Sequence, residues 1–102
     1  YNRHGEMFDV GETFSGVDYE TGLDVVDRIR PMVPAKATMA QLALRWILMF
    51  DAVSCAIPGA KRPAHVIDNV GAADLPPLSQ ETMDQIQAIY DRSIREQVHH
   101  RW

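Results

Sequence analysis

The chain has 102 residues, 46% of them hydrophobic and 24% charged, with a formal net charge of −4. That is enough apolar material for a packed core in one domain or part of one, and it excludes a disordered tail. The acidic balance argues against a nucleic acid or an anionic membrane as partner, because both want a broad basic face.

Residues 1 to 18 carry Gly5, Gly11 and Gly16 among polar and aromatic residues without a period. They read as a long loop held by Phe8 and Phe14, the kind of segment that covers something. From Tyr19 to Arg30, Leu23, Val25, Val26 and Ile29 recur at helical spacing, and Pro31 and Pro34 close that helix. Thr38 followed by Gln41 is a capping box at the head of a helix from Met39 to Phe50. This helix is apolar nearly all round, with Gln41 and Arg45 as its only wet edge, so it wants a larger partner than a few short helices.

Val53 to Ile57 is a short apolar run bounded by Asp51 and Pro58-Gly59, which predicts a strand buried on both faces. It carries the one cysteine, Cys55, expected as a buried, reduced thiol in a reducing compartment. A lone buried strand leaves backbone groups unpaired, so the sequence again points outside itself. Pro63 opens a helix to about Ala73 with Val66, Ile67 and Val70 inward. Leu75-Pro76-Pro77-Leu78 breaks it, and Ser79 caps a last helix from Gln80 to about Gln97, striped by Met83, Ile86, Ile89, Tyr90 and Ile94.

The turn between strand and helix is the most informative stretch. Gly59 and Ala60 let backbone N–H groups approach a ligand, Lys61 and Arg62 bring charge, and a helix opening at Pro63 adds unpaired N–H groups and a positive dipole end. These suit an anion, most simply a phosphate. A solvated turn is the plain alternative. His4, His99 and His100 have no partners at metal-ligand spacing and read as solvated, so no metal is expected; Trp46 and the methionines read as core.

Three pieces of this chain resemble the aldo-keto reductase family. Ala40-Gln41-Leu42-Ala43-Leu44-Arg45-Trp46 is similar to its late helix, Ile57-Pro58-Gly59-Ala60-Lys61 to its last barrel strand and turn, and Val66-Ile67-Asp68-Asn69 to its last barrel helix. Upstream, the segment from Phe14 to Leu23 looks like the loop and helix after the seventh strand. The resemblance implies an α/β fold, a (β/α)₈ TIM barrel of about 250 residues. Residues 1–102 would then be its C-terminal fragment, mostly helical with one buried strand, with 1–18 as the loop after the seventh strand and 79–102 as a C-terminal extension helix.

The same resemblance implies NADP(H) as cofactor and carbonyl reduction to an alcohol as the reaction of the full-length parent. The family's contacts to the adenosine-phosphate end of NADP fall on Ile57, Pro58, Gly59, Ala60, Lys61, Arg62, His65, Asp68 and Asn69. Lys61 and Arg62 would favour NADPH over NADH through its 2′-phosphate, and Asp68 and Asn69 would hold the adenine. Many relatives place Arg or Gln where His65 stands. Nothing here matches the catalytic tetrad of Asp, Tyr, Lys and His, so the chain alone is expected to be inactive. Its partners would be a small carbonyl substrate in the parent and the remaining barrel segment or a second copy. The alternative function is an NADP-binding regulatory subunit without turnover.

No apolar run reaches the roughly 18 residues of a membrane span, and the N-terminus has no signal-peptide pattern, so a soluble cytoplasmic protein is expected. A chain opening on Tyr1 is expected to be a cleaved or truncated product.

Overall fold

The computed structural model of the chain describes residues 16–101. The expected loop before residue 16, with Phe8, Phe14 and His4, lies outside the described residues. The helices are α1 (Tyr19–Ile29), α2 (Met39–Ile47), α3 (Pro63–Gly71), α4 (Gln80–Ser93) and α5 (Arg95–Val98), with 3₁₀ turns at Arg30–Met32, Ala72–Asp74 and His99–Arg101. The chain divides into two compact units. One joins the stretch up to Pro31 with the stretch from Gln85 onward, and the other is Met32–Asp84.

In the first unit Asp18 caps α1, its carboxylate accepting from the Thr21 N–H at 2.9 Å and the Thr21 hydroxyl at 3.0 Å. Those bonds, the backbone one foremost, hold the Asp18 carboxyl below its ordinary value. Pro31 does not end the helix cleanly but is drawn into the 3₁₀ turn that follows. The last helix is not continuous either. The Gln97 N–H turns to Ile94 at 3.0 Å, and its side-chain amide takes the Ser93 carbonyl at 3.1 Å, which breaks the run at Ile94. The other end of that amide accepts from the Asp18 N–H at 2.8 Å. Ile86 and Val98 are the buried side chains here. The expected stripe on α4 holds along this part of the helix, with Ile86 buried and Ile89, Tyr90 and Ile94 half-buried.

His99 does more than meet solvent. Its Nδ1 lies 3.0 Å from the Tyr90 hydroxyl and its Nε2 3.2 Å from Arg95, which also pairs with Asp91 at 2.9 Å.

In the second unit the capping box forms as read: the Gln41 N–H donates to Thr38 Oγ1 at 3.1 Å and the Thr38 N–H to Gln41 Oε1 at 3.0 Å. The helix ends at Ile47, short of the expected Phe50, with turns closing on Leu44, Trp46 and Ile47. Leu42 and Ala72, each 1% exposed, form its core. Trp46 is half-buried, edge-to-face with the exposed Phe50 at 5.0 Å, and Met32, Met39, Met49 and Met83 are half-buried rather than core.

Two expectations fail here. The buried strand does not form: residues 53–60 have no regular structure, Cys55 is exposed, and Ile57 is 94% exposed. A strand needs a neighbour to receive its N–H and C=O groups, and no strand exists among the described residues to pair with it. For the same reason Val66, Ile67 and Val70 do not point inward. They are 51%, 74% and 64% exposed, because their spacing marks an apolar face and nothing in the described chain covers it.

Candidate functional site

The anion-type turn is built around the start of α3. Pro63 takes the first helical position, where its missing N–H costs nothing. Arg62 stands at the N-cap with extended backbone (φ −145°, ψ 151°) and offers no side-chain cap. The N–H of the second helical position, Ala64, is thereby left without the oxygen that Ser or Asp would supply. Arg62 satisfies only the His65 N–H, through its own carbonyl at 2.9 Å.

Around this end stand Lys61 and Arg62, both exposed. His65, one turn along, receives the Lys61 N–H at Nδ1 (3.4 Å) and the Arg62 guanidinium at Nε2 (3.1 Å). Both neighbours are donors, and a neutral imidazole has only one acceptor nitrogen, so one of the two contacts is always unmet. An incoming anion would relieve this by taking Arg62 and leaving His65 a free N–H. Ala60, Lys61, Arg62, Pro63, Val66 and Ile67 border a shallow open recess of about 520 Å³.

Asp68 and Asn69, adjacent on α3, engage different elements. Asn69 donates its amide to the Gly59 carbonyl at 3.3 Å, which ties the turn to the helix. Asp68 accepts the Thr38 hydroxyl at Oδ2 (3.3 Å) and, through its main-chain carbonyl, the Gln41 amide at 2.9 Å. The structure therefore brings Gly59, Lys61, Arg62, His65 and Asn69 together and directs the Asp68 carboxylate to the N-cap of α2. Ile57 and Pro58, upstream of the turn, are exposed. Pro58 and Ala60 also line a second, apolar cavity of about 400 Å³ between α2, residues 54–60 and α3, with Leu44, Leu48, Val66 and Val70 among its walls.

Gly59 has no positive φ, and a Cβ built on it meets nothing within 4 Å. Nothing in the described chain requires glycine there, and its outer side is open to a ligand.

Gln41 and Arg45 do not form a wet edge. Each donates to a backbone carbonyl of the same unit, Gln41 to Asp68 and Arg45 to Pro76 at 3.3 Å. A signal for Gln41 was present in the sequence: glutamine at the third position of a capping box keeps a spare NH₂ group that glutamate lacks.

Among the described residues no group of three or more His, Cys, Asp or Glu side chains gathers to hold a metal ion, and no helix is long and apolar enough to cross a membrane.

The sequence model of the Aldo/keto reductase family matches residues 9–91, most of the chain. The chain belongs to the aldo/keto reductase family. No curated protein and no solved structure matches it. Aldo/keto reductases are oxidoreductases that generally use NAD(P)H on a TIM barrel, and the matched region takes in α1 to α3, the turn between α2 and α3, and most of α4.

Proposed function

We propose that the chain is the C-terminal portion of an NADPH-dependent aldo/keto reductase and supplies the adenosine-phosphate half of its cofactor site. The observation that carries this reading is the uncapped start of α3 with two exposed cations beside it. A 2′-phosphate brings about two negative charges and three acceptor oxygens, which suits the Ala64 N–H, the helix dipole, Lys61 and Arg62 together. Arg62 would hold it with its planar fork and Lys61 as a point charge. Asn69 keeps the turn against the helix. Gly59 leaves the backbone open to close approach, and Ile57, Pro58 and Ala60 flank it. When bound, the cofactor supplies the hydride for a carbonyl substrate, and the residues that handle that carbonyl are expected outside this chain.

The uncovered apolar surface supports the fragment reading. Ile57, Val66, Ile67 and Val70 face solvent beside the cavity walled by Leu44 and Leu48. Covering four such side chains is worth about 1.5 to 3 kcal/mol each on full burial, ample to hold the remaining barrel segment in place.

The test uses the full-length protein that carries this sequence. Lys61→Ala with Arg62→Ala should weaken NADPH by roughly a hundredfold at two charge-assisted contacts while NADH changes little. Equal losses for both cofactors would remove the 2′-phosphate assignment.

A further inference from the structure

The anion end of the site rests on a second layer that touches no ligand. The carbonyl of Asp68 lies near the end of α3, where the chain tightens into the 3₁₀ turn Ala72–Asp74. The donor that would close a regular helical bond on it is the Ala72 N–H, which turns instead to Asn69 and Val70. The Asp68 carbonyl accepts the Gln41 amide at 2.9 Å. Only one orientation of that amide serves both partners, since Thr38 offers an N–H to Oε1 and Asp68 a carbonyl to Nε2. The Thr38 hydroxyl is used twice as well, accepting from the Gln41 N–H and donating to the Asp68 carboxylate.

Gly71 supplies an independent observation. A Cβ there would stand 3.0 Å from Gln41 Nε2, so glycine makes room for the amide in a helix that otherwise favours alanine. From Gln41 the connection runs through Asp68 to its neighbour Asn69, and from Asn69 to the Gly59 carbonyl.

We propose that Gln41 is a positioning residue for the nucleotide site. Through the Asp68 carbonyl it sets the position of α3, and so of Asn69 and the Gly59–Arg62 turn. This rests on the cofactor reading above but names a residue outside the cofactor-contact set. Because Gln41 acts through α3 and the turn that carries Lys61 and Arg62, its loss weakens NADPH, and NADH by a smaller factor.

Gln41→Glu separates this role from helix capping. Glutamate keeps the capping box, since an oxygen still accepts from the Thr38 N–H, but it sets an acceptor against the Asp68 carbonyl. In the full-length protein the expected result is a roughly tenfold loss of affinity for NADPH and a smaller loss for NADH, with the melting temperature little changed. Gly71→Ala, which crowds the same amide from the other side while favouring the helix, should reproduce the loss. Unchanged affinities in both variants, or a fall in melting temperature without a fall in affinity, would overturn the proposal. Failure of the cofactor reading looks different: the Lys61, Arg62 double variant then leaves the ratio of NADPH to NADH affinity unaltered. If the unmodified protein binds neither cofactor, both readings fall.

Discussion

Asn69 and Gly59, ten residues apart, are joined by a hydrogen bond in which the side-chain amide donates to the main-chain carbonyl at 3.3 Å. Among the described residues it is the one polar tie between α3 and the turn that precedes it beyond the His65 contacts, so the shape of the turn depends on it.

Replacing Asn69 by alanine should therefore free the turn more than it destabilises the fold. The bond is exposed and long, so its loss should cost no more than about 0.5 kcal/mol by denaturant titration. Amide exchange at Ala60 and Lys61 should rise clearly. Unchanged exchange there would show that the turn is held by other means.

Thr38→Ala removes the acceptor for the Gln41 N–H and the donor to Asp68 in one step. The expected loss is about 1 kcal/mol, with Thr38→Ser recovering most of it. The denaturation midpoint measures both, and an alanine variant as stable as the original would mean that the cap contributes nothing.

Two glycines should respond in opposite ways. Gly16 has φ +92°, and a Cβ on it would collide with the Arg101 guanidinium, so Gly16→Ala should cost about 1 kcal/mol or more. Gly59→Ala should be neutral or slightly stabilising in the free protein, because the new methyl meets nothing and the unfolded chain loses freedom. Its effect should show in nucleotide affinity. Thermal melts of the two variants, with and without NADPH, read the contrast.

Acid should act late on the terminal helices. Thr21 holds the Asp18 carboxyl low, and Asp91 is held low by hydrogen bonds from Arg95 and then Gln87. A carboxyl whose folded value lies below its unfolded one contributes stability that is present above the unfolded value and is lost as pH falls through the folded one. Helix content in α1 and at the end of α4 should thus hold down to pH about 4 and fall below it. Asp18→Asn should remove the α1 part of that transition in a circular-dichroism titration. A transition of the same size in that variant would assign it elsewhere.

What the sequence makes readable here is what neighbouring residues decide among themselves. Thr38 and Gln41 cap α2 because they lie three residues apart, and Pro63 starts α3 because a fixed φ suits that position whatever surrounds it. The turn cations and His65 come together for the same local reason. The run from Val53 to Ile57 is different, since a strand is a relation with another segment and its composition says only that such a segment is wanted. Val66, Ile67 and Val70 likewise mark a face without stating what meets it. Gln41 was visible as a cap, but its reach to Asp68 depends on the early tightening of α3 at Ala72, which no spacing rule announces.

Cys55 stands alone of its kind in the sequence, exposed, on the wall of the apolar cavity. The protein therefore carries a built-in reporter. The rate at which a thiol reagent labels Cys55 reads directly whether that wall is open to water or covered, with no engineered probe and no second thiol to confuse the signal. Fast labelling would report that wall open to water, and slow labelling would report the apolar face covered.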